Sequence, residues 1–227
     1  MQLDFITQVV NFDKEVVRNT PILKPLIDEF DDLADDSFDR KFAHRFIQDK
    51  NHYSIEAIQY HAIDYVFSQA QLPPSRFSDG SFPAWYGSLD QVTTYYETCY
   101  HWVHDVLRDI NYHSEKNIYQ ERSLFNVNCA SMLLDLRMNK NAVPELVGKH
   151  PDAYSTTQLI AKKLHQQGNP GLYTSSARNE NGENIVVYNK NILSHAEMIH
   201  DVIYEYNPEK ADIIVRELKS DRVIIEI

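Results

Sequence analysis

The sequence predicts an α+β fold, a small mixed β-sheet core with surrounding helices, and two observations carry that prediction. Apolar residues recur at spacings of three and four in the N-terminal half of the chain, which is the helical period. The C-terminal half contains short runs of β-branched and aromatic residues that are separated by turn residues. Helices first, followed by strands mixed with helices, is an order typical of α+β domains.

The N-terminal half divides at a loop. Residues 23–47 and 51–67 both carry helical apolar periodicity, and the acidic run within the first segment suits a solvated helix face. The segment 69–83 contains three prolines and a glycine, which are loop residues. We therefore expect a helical N-terminal extension over residues 1–40 and one domain over residues 41–227.

The remaining elements are predicted from the spacing of apolar residues and from the turn and cap residues between them. A helix is predicted over residues 89–110, and a short one over 155–167, where Ser155 is a plausible N-cap and Gly168 follows the last turn. Strands are predicted at the apolar runs 124–136, 171–178, 184–188 and 222–227, with a turn between the second and third of them.

Composition limits the function. The chain has 227 residues, a formal net charge of -11 and a pI of about 5.3, which argues against nonspecific binding of nucleic acid or of an anionic membrane. No apolar run reaches signal-peptide length or the roughly 20 residues that span a bilayer. The two cysteines, Cys99 and Cys129, form no disulfide framework and lack metal-ligand spacing, so we expect a cytoplasmic protein.

The loop and the helix after it present an arginine, a tyrosine and a carboxylate in a fixed order. Arg76 precedes Phe77, Tyr86 follows ten residues after Arg76, and Glu97 follows eleven residues after Tyr86. A guanidinium fork suits a pyrophosphate, an aromatic ring can stack on a planar base, and a carboxylate can stabilise a positive charge. Together these groups indicate a pocket for an anionic nucleotide.

These spacings resemble the RES domain, a family named for an arginine, a glutamate and a serine. A second block supports the resemblance, because residues 152–188 combine an aromatic-Ser pair, a glutamine in a short helix and a Gly-Leu-Tyr strand. In that block Ser155 and Ser176 are the candidate serines, and Arg178 lies two residues after Ser176. The resemblance covers approximately residues 40–190.

The resemblance implies a toxin of a bacterial toxin–antitoxin pair, with a fold similar to that of ADP-ribosyltransferase toxins. Such proteins cleave the nicotinamide–ribose bond of NAD, which is their substrate, with water or phosphate as the acceptor and without a metal. The implied partner is an Xre-type antitoxin that covers the active site. The resemblance implies no direct contact with nucleic acid or membrane, and it leaves a homodimer open.

Each matching residue then has an expected role. Glu97 would stabilise the oxocarbenium-like ribose that forms when nicotinamide leaves. Arg76 would bind the pyrophosphate, and Ser155 would position the ribose, a phosphate or the acceptor, so these two join Glu97 as the catalytic candidates. The candidate substrate-binding residues are Tyr86, Ser176, Phe77 and Arg178.

Three alternatives remain at this point. Many RES sequences carry a further arginine in an early strand; residues 62–69 offer none, and Arg45 matches only loosely. That departure favours an inactive RES-fold binding module, whereas a protein side chain as acceptor would make the chain a protein ADP-ribosyltransferase. The third alternative is a metal-dependent enzyme. Its ligands would be Glu97, His101 and His104 on one helix face, with the Glu-x-x-His pair of Glu197 and His200.

Overall fold

An eight-stranded mixed sheet with helices packed on it forms the centre of the protein, which confirms the α+β prediction. The computed structural model describes residues 8–21, 55–107, 116–148 and 154–227. Its strands are β1 (Gln8–Pro21), β2 (Trp85–Ser88), β3 (Ile118–Asp135), β4 (Gly171–Ser175), β5 (Glu183–Val187), β6 (Leu193–Asn207), β7 (Asp212–Glu217) and β8 (Val223–Glu226).

The strand order is β1-β2-β5-β4-β3-β6-β7-β8, and β3 and β4 form a parallel pair whereas the other neighbours are antiparallel. In addition, β1 pairs with β3 along its whole length, from Gln8 opposite Asp135 to Pro21 opposite Arg122. This second pairing joins β1, β2, β5, β4 and β3 into a closed ring of strands. The sheet therefore forms a small barrel, from which β6, β7 and β8 extend.

Three helices of the described chain pack on this sheet, and two of them change type along their length. Helix α1 runs as α-helix over Ile55–Gln59, as π-helix over Tyr60–Asp64 and as α-helix over Tyr65–Ser68. Helix α2 is α-helical over Gln91–His101 and π-helical over Trp102–Leu107. Helix α3 spans Tyr154–Gln166. These positions agree with the helical periodicity of the sequence. No helix of the described ranges has the length and apolar character needed to cross a membrane.

Helix α2 begins where its sequence provides a cap. The Asp90 carboxylate accepts hydrogen bonds from the backbone N–H and the hydroxyl of Thr93, both at 2.7 Å. This interaction satisfies one of the free N–H groups of the first turn. Tyr95, Cys99 and Trp102 then bury one stripe of the helix against β1, β3 and β6. The opposite face of α2 can therefore carry polar residues.

The prediction of a helical N-terminal extension is wrong for residues 8–21, which form β1. The physical reason is the partner strand, because Phe12 and Val16 bury their side chains in the core beside Phe125 of β3. The apolar residues at these positions fit a two-residue strand period as well as the helical period. Pairing with the 18-residue strand β3 favours the strand. Residues 22–40, the rest of the predicted extension, lie outside the described residues.

Strands β2, β6 and β7 also have no counterpart in the sequence prediction. Strand β6 contains four acidic or histidine side chains among its first nine residues, so it lacks a continuous apolar run. Its pairing with β3 is shifted at two places, which interrupts the two-residue alternation that identifies strands. Contacts with β3 and β7 on its two sides, rather than its own composition, hold β6 in the sheet.

We predict that Gly171→Ala destabilises the fold by about 1–3 kcal/mol, the usual cost of overpacking a tight site. A Cβ atom at Gly171 would lie 2.5 Å from the backbone oxygen of Val186 and 3.1 Å from Leu133. Urea unfolding of the two proteins measures the difference. The matched control is Gly168→Asn: Gly168 has a φ of +79°, a Cβ atom there would meet no other atom within 4 Å, and asparagine tolerates that conformation. Equal destabilisation by both variants would contradict the prediction.

Candidate functional site

A cavity of about 260 Å³ lies between α2, strands β1 and β2 and the loop before β2. Its lining is rich in arginine for a chain of net charge -11. The polar side chains at the cavity are Arg18, Asn19, Ser75, Arg76, Tyr86, Ser88, Thr94, Glu97, Thr98, His101, Arg122, Tyr154, Thr174, Ser175, Arg178 and Asn184. The cavity thus combines four arginines with one carboxylate.

Glu97 lies on the cavity face of α2, and two side chains from the sheet fix its carboxylate. Ser176 Oγ donates a hydrogen bond to Glu97 Oε1 at 2.6 Å, and Asn184 Nδ2 donates to the same oxygen at 2.7 Å. No described residue bonds Oε2 of Glu97. One carboxylate oxygen is therefore held in place while the other remains available to a ligand.

Ser176 is buried, and its hydroxyl is fully used within the protein. Besides its bond to Glu97, its Oγ accepts hydrogen bonds from the backbone N–H groups of Arg178 and Asn179, both at 3.0 Å. The Asn179 side chain in turn donates to Thr93 at the start of α2. The predicted site residue Ser176 therefore contacts Glu97, and its geometry is that of a group that positions this carboxylate.

The Tyr86 hydroxyl organises the loop that carries Arg76. It accepts a hydrogen bond from the Phe77 backbone N–H at 3.0 Å and shares a bond with Ser75 Oγ at 2.8 Å. Burial raises the pKa of Tyr86 to about 12 despite these two bonds, which act in the opposite direction. The side chain of Phe77 is 1% exposed and belongs to the core, so only its backbone takes part in this arrangement.

Arg76 uses both of its terminal nitrogens for hydrogen bonds within the protein. Its Nη1 donates to the Glu145 carbonyl at 3.1 Å and its Nη2 to the Gly148 carbonyl at 2.7 Å. The guanidinium also lies over the Tyr154 ring, 4.8 Å from the centroid. Burial is the main cause of a lowered pKa of Arg76, and the nearby Arg178 acts in the same direction. Arg76 therefore fastens the segment around Gly148 to the cavity.

Ser155 and Arg178 lie at different distances from the cavity. Ser155 is exposed in the first turn of α3 and does not border the cavity, whereas its neighbour Tyr154 does. Arg178 borders the cavity and places its guanidinium over the Tyr100 ring, 3.1 Å from the centroid. Its Nη2 also reaches the Tyr154 hydroxyl at 3.4 Å. The structure thus brings Arg76, Tyr86, Glu97 and Arg178 to one cavity and leaves Ser155 outside it.

Sequence reasoning missed most of the cavity lining, including Arg18, Asn19, Arg122 and the Asn184 that bonds Glu97. Arg18 extends from β1, donates from Nη1 to the Tyr86 carbonyl at 2.8 Å and lies over the Trp85 ring at 5.4 Å. An arginine from an early strand is therefore present in the cavity, although not in the segment searched for it, and Arg45 lies outside the described residues. The signal was an arginine directly after Val16 and Val17, which the helical prediction for this region concealed.

The alternative of a metal site finds no support in these contacts. His101 borders the cavity, but the described residues contain no group of three or more histidine, cysteine, aspartate or glutamate side chains placed to hold a metal. Glu197 and His200 belong to β6 and not to a helix, so the helical spacing assumed for that pair does not apply.

The fold and the cavity together define a class of protein, an α+β domain with an arginine-rich cavity around one anchored glutamate. The RES domain model matches residues 40–207, and the chain belongs to this family. A solved structure titled as the M. tuberculosis MbcT–MbcA toxin–antitoxin complex is similar at 14% identity and a TM-score of 0.43, and the similarity covers 89% of each chain. No curated protein matches.

We predict that Ser176→Ala lowers the free energy of unfolding by about 1–3 kcal/mol, because two backbone N–H groups lose a buried acceptor. Chemical denaturation measures this change. Ser220→Ala is the matched control, since the Ser220 hydroxyl is exposed and bonds only surface groups. If Ser176→Ala were as stable as the control, Ser176 would not hold the turn that contains Arg178.

Proposed function

We propose that this protein is a RES-type toxin that cleaves the nicotinamide–ribose bond of NAD. The observation that carries the proposal is Glu97, whose Oε1 is fixed by Ser176 and Asn184 inside a cavity bordered by four arginines. A carboxylate held in a half-buried, preorganised site stabilises a developing cation more than a solvated one does. The arginines would attract the pyrophosphate of the dinucleotide.

The reaction that fits these groups is a substitution at the anomeric carbon of the ribose. The bond from that carbon to the pyridinium nitrogen breaks, and its electron pair stays with the nitrogen, so nicotinamide leaves as a neutral molecule. The ribose carbon gains positive charge, which Glu97 would stabilise from nearby. An oxygen of water or phosphate then forms the new bond to this carbon, and a water acceptor also releases a proton.

The size of the cavity suits the reacting end of the dinucleotide. Pockets for small molecules commonly measure about 300–1,000 Å³, and this cavity of about 260 Å³ lies just below that range. The Tyr86 ring would stack on the nicotinamide, and the bonds to its hydroxyl fix its orientation for that contact. Arg76 already bonds two carbonyls, so the pyrophosphate would also draw on the positive charge of the other three arginines that border the cavity.

The alternative of an inactive binding module rested on the lack of an early-strand arginine. Arg18 now provides such a residue within the cavity, next to the Tyr86 backbone. The other alternative is transfer of ADP-ribose to a protein side chain. Product analysis distinguishes it from transfer to water or phosphate. No observation in the cavity favours a protein acceptor over a small one.

We predict that Glu97→Gln reduces NAD cleavage at least about a hundredfold, because the amide keeps the shape but lacks the charge that stabilises the transition state. Chromatographic separation of nicotinamide from NAD measures turnover, and circular dichroism checks the fold. Glu209 lies in an exposed turn between β6 and β7, so Glu209→Gln is the matched control and should retain full activity. Near-normal turnover of Glu97→Gln would refute the role of this carboxylate.

An NAD-consuming enzyme would poison its own cell, so the proposal includes a protein partner that blocks the cavity. The similar structure is titled as a toxin–antitoxin complex, and the family resemblance suggests a partner of the Xre type. The net charge of -11 would speed the encounter with a basic, DNA-binding partner. Binding of such a partner over the cavity mouth would exclude the dinucleotide.

We predict that expression of this protein alone arrests bacterial growth and lowers cellular NAD, and that co-expression of the adjacent gene product restores both. Growth curves and an enzymatic NAD assay follow the two effects. The Glu97→Gln variant is the control, since it should be tolerated and still bind the partner. Tolerance of the wild-type protein at high expression with unchanged NAD would refute the toxin proposal.

A further inference from the structure

The asparagine that bonds Glu97 from β5 is itself held by a serine from β2. Asn184 Nδ2 donates to Glu97 Oε1 at 2.7 Å, and Ser88 Oγ donates to Asn184 Oδ1 at 2.8 Å. Ser88 and Asn184 are register partners in the antiparallel pair of β2 and β5, so their side chains lie on the same face of the sheet. The three side chains thus form one series of hydrogen bonds that joins the sheet to α2.

Ser88 determines which end of the Asn184 amide faces Glu97. An asparagine side chain has a carbonyl oxygen that accepts hydrogen bonds and an amino group that donates them, and the two ends are similar in size. The Ser88 hydroxyl occupies the carbonyl end, which directs the amino group to the carboxylate. Because Ser88 is 4% exposed, turning the amide over would cost its buried hydroxyl this acceptor.

Ser176 imposes the same direction on its own bond to Glu97. Its Oγ already accepts hydrogen bonds from the backbone N–H groups of Arg178 and Asn179. A hydroxyl has two acceptor positions and one proton, so the proton of Ser176 is the group left to meet Glu97 Oε1. Glu97 Oε1 therefore receives two hydrogen bonds from donors whose direction is fixed by their other partners.

We propose that Ser88 and Asn184 are positioning residues for the reaction, which act together to hold Glu97 Oε1 as a hydrogen-bond acceptor and leave Oε2 for the ligand. Ser88 acts through Asn184, and Asn184 acts through Glu97. Donors of fixed direction match a carboxylate, which only accepts hydrogen bonds. This role rests on the proposed function, because a negative charge at Glu97 is what would stabilise an oxocarbenium-like ribose.

The first test reverses the direction of the contact and needs no substrate. Asn184→Asp keeps the size of the side chain and places a second carboxyl group at hydrogen-bond distance from Glu97 Oε1. Two carboxyl groups at that distance share one proton, which the unfolded chain releases near about pH 4. The shared proton stabilises the folded variant at low pH, and this contribution is lost as the pH rises and the proton leaves.

We therefore expect urea unfolding to show that Asn184→Asp loses stability relative to the wild type between about pH 5 and pH 8. The matched control is Asn191→Asp, since Asn191 is exposed in the short helical turn before β6. Its stability should follow that of the wild type over the same range. A stability difference for Asn184→Asp that is constant with pH would overturn the contact on which the proposal depends.

The second test follows NAD cleavage by the same variant against pH. The shared proton removes part of the negative charge of Glu97, and that charge returns when the proton leaves. We expect Asn184→Asp to be at least about tenfold slower than the wild type at pH 6 and to recover at least about threefold of this loss by pH 9. A purely structural defect would slow the reaction by the same factor at every pH, and that result would overturn the positioning role.

The third test is a double-mutant cycle that asks whether Ser88 acts through Asn184. We expect Ser88→Ala to lower NAD cleavage at least about threefold, because the amide is then free to turn over. In an Asn184→Ala background the same Ser88→Ala change should have almost no further effect. Equal effects of Ser88→Ala in the two backgrounds would overturn the role of Ser88.

The two kinds of measurement separate this proposal from the proposed function. If the wild-type protein does not cleave NAD while Asn184→Asp still loses stability as the pH rises, the proposed function fails and the contact between Asn184 and Glu97 stands. If the wild-type protein cleaves NAD and the variants of Ser88 and Asn184 cleave it equally well at every pH, the positioning role alone is refuted.

Discussion

The antiparallel pairing of β1 with β3 along the whole of β1 is the interaction on which the cavity depends. It closes the ring of β1, β2, β5, β4 and β3, and it provides the surface on which α2 packs. The same pairing places Arg18 and Asn19 beside Tyr86 and Thr98, which come from distant parts of the chain. Strand β1 precedes the segment that the RES model matches, so an element outside residues 40–207 contributes part of the cavity wall.

Collecting four guanidinium groups and one carboxylate at one cavity requires compensation, because buried charges lose hydration. The protein supplies it for Arg76 through two carbonyls and the Tyr154 ring. For Arg178 the Tyr100 and Tyr154 side chains serve the same purpose. These contacts form a continuous rim from the loop near Gly148 to α2. The rim holds its cations in place before any ligand binds, which is the preorganisation that recognition of an anion needs.

The contacts that hold the Glu97 carboxylate also reach the turn that carries Arg178. Ser176 and Asn184 reach Glu97 from the end of β4 and the start of β5, the two strands that a short turn connects. Ser176 also accepts the backbone N–H of Arg178, so one hydroxyl sets both the glutamate and the turn that carries a cavity cation. A change in that turn therefore alters an anion and a cation of the cavity together.

The sequence by itself determined the features that depend on local order. The helical periods of α1, α2 and α3, the loop at residues 69–83 and the strands β4 and β5 all follow from residues close together in the chain. The spacing of Arg76, Tyr86 and Glu97 identified the family, because those three residues belong to one loop-strand-helix unit whose geometry is mostly local. Their common position at one cavity was predictable for the same reason.

Only the tertiary structure decided the rest, because it depends on pairing between distant segments. Residues 8–21 have apolar positions compatible with either period, and β3, more than one hundred residues away, makes them a strand. That choice turns Arg18 and Asn19 towards the cavity and adds Arg122 opposite the end of β1. The fold also brings the Glu145 and Gly148 carbonyls to the two terminal nitrogens of Arg76. No local pattern reveals which arginine keeps free donors, since that depends on which carbonyls, rings and charges the fold brings to each guanidinium.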